Sequence, residues 1–499
     1  MTPSGALPRR GLLLFIGVVC LYLLIALSLS ATKRPWFDEA MFANPAWDLV
    51  QRGHMGLTIT EPTGFPQVPG IEQVNVNTHV YYSMPLSNLG LGAWYKLVGF
   101  GMVRTRAYHV LWGLAALLAW TFLVRTLAHS WWPALLAALL VATDRGFVDA
   151  AASGRPDMMS ASLGTIAMAA YMALREKRLG AAIFASQALI ALALFTHPIG
   201  AAADLGVLVL LLRFDLRRLR WAYLPLAAAP FILGFSLWGL YIIQDPAAFR
   251  SQFGANASGR EQGLRSPLGA IGREIRIRFL ERLYLPPYAT GMRRLSVLIP
   301  IFYWLSAVLL AFRRSAPRLL GVLAILYFFA FGILESTKPP FYLVHITPLL
   351  ACCLALWSWS VWSAGGGFRW AGPCVVALVL GIQLVWIAGA IRQNTYGNAF
   401  LPAMEFLDRE APSGSLIIGN SELGFHFGFY GGHVVDDASL GYYSGKRADF
   451  LVIDDNGYRE AFKGFASRDP GLDRYVRAAL TEDYRLVYEN SVYTIYRRR

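Results

Sequence analysis

About eleven long apolar runs punctuate this chain, at 11–31, 104–128, 131–148, 158–174, 179–196, 199–212, 221–243, 294–312, 319–334, 340–363 and 371–391. A helix of about 20 residues spans the ~30 Å hydrocarbon core of a bilayer, so most of these runs can cross it, while 199–212 must borrow from its flanks. In lipid a backbone has to satisfy its own hydrogen bonds, and for runs of this kind that means helices. With 56% hydrophobic residues against 15% charged ones over 499 residues, the chain carries too little charge to dissolve as a globule. The pattern predicts a mainly α protein: a polytopic helical membrane bundle of about eleven spans, with interfacial helices in its outer loops and a small C-terminal soluble α/β domain. The first run follows Arg9 and Arg10 as a signal peptide would, yet it is long enough to span, and Ser28 to Ala31 make a weak cleavage site. An uncleaved first helix is expected.

Orientation follows from the basic residues. With the N-terminus in the cytoplasm, the short inner loops hold Arg125, Arg175, Lys177, Arg178, Arg213, Arg217, Arg218, Arg220, Arg313, Arg314, Arg318 and Arg369. The short loops on the other side hold Arg145, Arg155 and Lys338. That asymmetry is the positive-inside pattern of a multi-pass protein of the inner (cytoplasmic) membrane. Much of the net charge of +14 is thereby assigned to loops near the membrane, and no nucleic-acid partner is expected. Three larger pieces lie outside the cytoplasm: 32–103, 244–293 and the tail from 392. A transmembrane domain over 1–396 and an extracytoplasmic α/β domain over 397–499 are expected. In the tail, "SLIIGN", "GGHVVDD", "ADFLVIDD" and "YRLVYENSVYTIY" read as strands, the last as a hairpin around Glu489–Ser491, with helices over 402–410 and 471–480. Cys20, Cys352, Cys353 and Cys374 lie inside apolar runs without metal-ligand spacing, and read as inert thiols.

Carboxylates near lipid carry a desolvation cost and so need a reason. Asp38 and Glu39 follow the first run directly, in "RPWFDEAMFANPAWDLVQRG". The plainer reading makes Asp38 an N-cap and Glu39 a partner of the helix dipole. Ser or Thr would cap as well without a charge beside lipid, which favours a chemical role. Asp157, in "ASGRPDMM", opens a later span on the same side, with Arg155 close enough to neutralise it. Lys338, in "ESTKPPFYLVHITP", either snorkels toward headgroups or offers a point charge to a lipid phosphate. His345, seven residues on, reads as a hydrogen-bonded core histidine. His197 sits at the outer surface, and Asp204 about two turns inside the bilayer. In "GAIGREIRIRFLERLYLPPY", Ile271, Ile275, Phe279 and Leu283 share a helical stripe with Arg273, Arg276, Arg278 and Arg282 largely elsewhere. That is a basic interfacial helix, suited to anionic lipid or to a donor phosphate.

Together the Phe-Asp-Glu-Ala element after helix one, the "RPD" opening a later span and the "TKPPFYLVHITPLLA" span resemble the polytopic C-type glycosyltransferases. The similarity is to the bacterial members of the group holding the protein O-mannosyltransferases and the lipid A aminoarabinose transferase. It covers the eleven spans in order, and the tail resembles the soluble domain many bacterial members carry. The resemblance implies inverting transfer of a hexosyl or pentosyl unit from a polyprenyl-phosphate sugar to an acceptor protein, lipid or glycan on the outer membrane face. It implies Asp38, Glu39 and Asp157 as the catalytic set, Asp38 being the general base. Lys338, Arg155, Arg276 and Arg278 are then expected at the donor phosphate, and His79, Tyr81, His197 and Tyr342 as substrate contacts. Relatives often carry a Lys- or His-Pro-Pro-Leu-Tyr run late in the first loop, where this chain has "THVYYSMPL". No resident cofactor is expected beyond a divalent cation that Asp38 and Glu39 could hold. Two other classes stay open at this point: a flippase or other transporter, which would want polar groups near the midplane, and an assembly scaffold working through its tail.

Overall fold

The computed structural model describes residues 9–64, 72–257, 266–284, 291–335 and 337–499. The apolar runs are helices: Arg9–Thr32, Met102–Ala128, Trp131–Ala142, Asp157–Leu174, Leu179–Thr196, Ala203–Phe214, Tyr223–Ile242, Leu298–Ala311, Arg318–Leu334, Thr347–Ala364 and Ala371–Gln393. Among the described residues, 7 helical stretches are long and apolar enough to cross a membrane. The protein is a multi-pass membrane protein. Of the cysteines, Cys352 and Cys353 are buried, whereas Cys20 and Cys374 are exposed on the apolar faces of their helices.

The expected runs are broken in two places. The run 131–148 stops at Ala142 because the Asp144 carboxylate accepts the Phe147 N–H at 2.9 Å and starts a new helix, Arg145–Ala151. The run 340–363 opens as a 3₁₀ helix, Pro340–His345, before the α-helix Thr347–Ala364 begins. His345 therefore closes a 3₁₀ turn, where the sequence pattern put it two α-turns along a span. Residues 258–265 and 285–290, in the loop expected over 244–293, lie outside the described residues, as does the Leu283 side chain.

The chain divides into two compact units. One gathers 1–29, 109–238 and 258–389. Its helices approach closely where glycine removes a side chain, as membrane helices do. A Cβ on Gly164 would come within 2.6 Å of the Ala203 Cβ, and one on Gly321 within 2.5 Å of the Ala307 carbonyl oxygen.

The other unit gathers 30–108, 239–257 and 390–499. It is built on a five-stranded sheet: β1 Ile417–Gly419, β2 Val434–Val435, β3 Phe450–Asp454, β4 Tyr484–Glu489 and β5 Tyr493–Arg498, in the order β2-β1-β3-β5-β4. β1 runs parallel to β2 and β3, and β5 antiparallel to β3 and β4. The β4–β5 hairpin turns at Asn490, whose side-chain oxygen accepts the N–H groups of Val492 and Tyr493, each at 2.9 Å. Alternate residues of β3 enter two cores. Phe450 and Val452 pack with Met41, Leu57 and Ile59 of the segment 32–103 and with Met404 of the tail. Leu451 and Ile453 pack with Phe465, Leu472 and Val476. A sheet covered on both faces explains why "FLVI" is apolar throughout instead of alternating. Thr60 pairs with Asp436 and so covers the β2 edge, which would otherwise offer unpaired backbone groups.

Candidate active site

In the unit that holds the sheet, the chain leaves its first helix, turns, and enters helix Phe37–Arg52. Trp36 occupies the cap position, and its carbonyl accepts the Glu39 N–H at 2.9 Å. Asp38 and Glu39 thus fall in the first helical turn, where the dipole favours carboxylates, and Asp38 is not the N-cap. The two acids then part company. Glu39 is buried, and both its oxygens accept from Arg106, from Nε and from Nη2, each at 2.8 Å. Arg106 is wholly buried and also donates to the carbonyls of Ser30 and Lys33, each at 2.7 Å, and of Arg34 at 2.9 Å. All five of its N–H groups close on the segment 30–39, so one guanidinium shapes the turn that carries Asp38. Asp38 itself is half-buried.

His79 and Tyr81 also come together. Tyr81 is fully buried; its hydroxyl donates to the Tyr241 carbonyl at 2.9 Å, and its N–H to Gln252 Oε1 at 2.7 Å. His79 stacks on it with centroids 6.0 Å apart and planes 3° from parallel. Tyr81 is a packing residue here, and His79 keeps its half-exposed ring edge. The Tyr241 hydroxyl beside them is buried without a partner among the described residues.

A second charged cluster ties the same turn to the sheet. Arg34 pairs with Glu422 at 3.3 Å and with Asp455 at 2.5 Å, and Tyr493 donates to Glu422. Burial pushes the Glu422 carboxyl from 4.5 up to about 8, against the pull of Arg34, and the Asp436 carboxyl from 3.8 up to about 7. A carboxyl that holds its proton to higher pH when folded stabilises the fold below its unfolded value. That stabilisation is lost as pH rises through the folded value. The thermal midpoint of the purified protein is therefore expected to fall as pH rises from about 4.5 to about 8, and Glu422→Gln to flatten that slope. A wild-type midpoint that holds level or rises across this window would refute the assignment.

The remaining candidates gather in the other unit. Arg155 Nε donates to Asp157 Oδ2 at 2.9 Å, and the guanidinium lies 3.6 Å from the centroid of the Phe341 ring. His197 accepts the Ile199 N–H at Nδ1, which leaves Nε2 to donate toward the Tyr342 hydroxyl, 3.2 Å away. Asp157 lies within electrostatic reach of both His197 and His345. His345 is close to Arg278 in the same sense, and Arg278 to Tyr342. Several buried polar atoms in this neighbourhood have no partner among the described residues: Asp157 Oδ1, His345 Nε2, and Nε and Nη2 of Arg278. The His345 ring is buried as the sequence suggested, but among the described residues its Nε2 has no hydrogen bond. Buried orphans of this kind are rare and mark a place for a polar ligand or water.

The basic interfacial helix differs from its expected form. Pro267–Arg273 is α-helical, but Glu274–Tyr284 winds as a π-helix. Its wider turn rotates the faces away from the 3.6-residue stripe. Ile275 comes out 50% exposed and Arg278 goes in, 1% exposed. Arg276, 80% exposed, pairs with Glu281 at 2.7 Å and stands apart from the buried cluster. Lys338 is completely buried and pairs with Glu274 at 3.1 Å, so it does not snorkel. Asp204 is exposed and accepts from Gln187 at 2.7 Å. Among the described residues no group of three or more His, Cys, Asp or Glu side chains could hold a metal ion.

Among the charged residues of these clusters, Arg34, Arg106, Glu274 and Glu422 escaped the sequence reading. Arg106 was legible in principle, as an ionisable side chain inside an apolar run. Glu274 carried a weaker signal, a lone acid four residues before an arginine, which on most helices is a solvated pair.

No family model matches the chain, and no curated protein matches it in sequence. Solved structures do resemble it. The crystal structure of ArnT from Cupriavidus metallidurans bound to undecaprenyl phosphate has a TM-score of 0.59 at 16% identity, covering 98% of this chain and 98% of that one. The apo crystal structure of the same protein gives a TM-score of 0.52 at 15% identity, covering 97% of each chain. At such identities the likeness is one of fold. The chain shares the polytopic fold of that protein over essentially its whole length.

Proposed function

We propose that this protein transfers a sugar from a polyprenyl-phosphate carrier to an acceptor hydroxyl, with inversion, at the extracytoplasmic face of the inner membrane. The observation that supports this most is the open, buried guanidinium edge of Arg278, within electrostatic reach of His345, which in turn lies within reach of Asp157. It stands in a chain whose fold is that of a structure bound to undecaprenyl phosphate. A phosphate brings the oxygens that such an edge lacks, and its polyprenyl tail would remain in lipid.

Glycosyl transfer passes through a state with positive charge on the sugar and growing negative charge on the departing phosphate. Asp38, half-buried at the head of its helix, is the proposed general base for the acceptor hydroxyl. Arg278, fixed in a dry environment, holds the leaving phosphate more strongly as its charge grows, which is the useful direction for catalysis. Arg155 shares its charge with Asp157, and that pair is proposed to orient substrate with His197 and Tyr342. The count of loop arginines supports an outer side of the membrane for both Asp38 and Asp157.

The deciding experiment is release of free polyprenyl phosphate by the purified protein in lipid vesicles. A panel of polyprenyl-phospho-sugars would be offered with membrane extract as acceptor. Release from one donor, dependent on the extract, is expected, and that donor names the sugar. Carrier that moves between leaflets without release from any donor would replace the transferase reading with transport.

A further inference from the structure

Glu274 sits at the centre of a buried charge cluster and has no role in the chemistry above. Its Oε1 accepts from Arg278 Nη1 at 2.9 Å, and its Oε2 lies 3.1 Å from Lys338 Nζ. All three side chains are at most 2% exposed. Lys338 is anchored in turn: its Nζ donates to the carbonyls of Phe331 and Gly332, in the last turn of helix Arg318–Leu334. A cation there complements the helix dipole. Its backbone takes a φ of +55°, and its carbonyl accepts from Arg282. Helix end, lysine, glutamate and arginine thus form a chain of held groups.

At the end of that chain, Arg278 uses Nη1 and leaves Nε and Nη2 without partners among the described residues. Those two N–H groups share one edge of the guanidinium and point the same way, the geometry that meets two oxygens of a phosphate at once. An unheld arginine would lose rotamer freedom on binding, whereas this one is already fixed. The charge count also fits. Lys338, Arg278 and the exposed Arg282 stand against Glu274 and the buried Glu335, which lies within electrostatic reach of Glu274, Arg278 and Lys338, so a surplus of about one positive charge remains.

We infer that Glu274 is a positioning residue: it pins Arg278 through Nη1 so that the Nε–Nη2 edge faces the carrier phosphate, and Lys338 acts through Glu274 by fixing its carboxylate. The inference rests on the donor reading above and gives Lys338 an indirect part in it.

The test uses full-length protein in nanodiscs and two probes, undecaprenyl phosphate and uncharged undecaprenol. The preference for the phosphate over the alcohol isolates the anion contact, and affinity for the alcohol reports an intact lipid site. Arg278→Ala is expected to lower that preference about a hundredfold, and Arg278→Lys to recover only part of it, because a point charge cannot supply the fork. Glu274→Ala should lower it about tenfold, and Glu274→Gln less, since its amide oxygen can still accept from Nη1. Undecaprenol should bind all four variants as it binds the wild type. A preference that survives Glu274→Ala, or alcohol binding that falls in parallel, would overturn the assignment and leave Glu274 a packing residue. Should the preferences behave as expected while the wild type transfers no sugar from any donor, the transferase reading fails and the anion fork stands.

Discussion

An Asp38→Asn protein is expected to fold and to bind a polyprenyl-phosphate sugar normally, and to transfer that sugar about 10²–10⁴-fold more slowly. The amide keeps the size of the carboxylate and removes its basicity. Trp36 holds the cap of helix Phe37–Arg52, so the substitution does not remove an N-cap. The lost helix-dipole interaction is worth about 0.3–1 kcal/mol, and the change in thermal midpoint should be correspondingly small. A general base acts in the transition state, so kcat should fall with KM for the donor little changed. Steady-state transfer with each donor, alongside thermal unfolding of the same preparation, checks both halves. Normal turnover by a folded Asp38→Asn protein would remove Asp38 from the mechanism. Slow turnover with an equal rise in donor KM would move it from base to donor contact.

What the sequence disclosed follows from the solvent each segment meets. Lipid allows long apolar stretches few alternatives to a helix, so the spans were readable from composition along the chain. Neighbours in sequence were readable too: Arg155 does neutralise Asp157, two residues away. Contacts between distant residues were not, and His197 with Tyr342, 145 residues apart, leaves no trace in a linear pattern. Arg278 was named from the sequence as a donor contact, but its burial was hidden, for a different reason. A stripe drawn at 3.6 residues per turn assigns it to the polar side, and only the π-helical winding of 274–284 carries it inward. The strands of the tail were legible as apolar runs, but not the residues Met41, Leu57 and Ile59 of the segment 32–103 that cover one face of their sheet. Glu39 is the instructive intermediate case. Its place beside Asp38 suggested a shared chemical role, and its partner Arg106, 67 residues away, offers it a mechanical one that no sequence pattern disclosed.

That partnership makes the Arg106 variant the one expected to suffer the largest loss of stability. Arg106→Met leaves Glu39 buried without its counter-charge and takes a donor from the carbonyls of Ser30, Lys33 and Arg34. Breaking a buried pair from one side costs about 3–5 kcal/mol, because the remaining charge stays out of water unpaired. Glu39→Gln should cost less, since the amide oxygen still accepts from Arg106, although the guanidinium loses its counter-ion. The double variant Glu39→Leu with Arg106→Met removes both charges together and should be more stable than Arg106→Met alone, as replacing a buried pair by apolar groups often is. Chemical unfolding of the wild type, Glu39→Leu, Arg106→Met and the double variant in the same detergent, with Glu39→Gln alongside, gives the coupling directly. Additive losses would show that the two side chains do not act as a pair. Transfer assays on the same set separate the two possible roles of Glu39. If it holds the turn that aims Asp38, activity should fall together with stability through the series, and the double variant should regain part of each. If Glu39→Gln abolishes transfer at unchanged stability, Glu39 takes part in the chemistry itself, and the clamp on the 30–39 turn is only the means by which it is placed there.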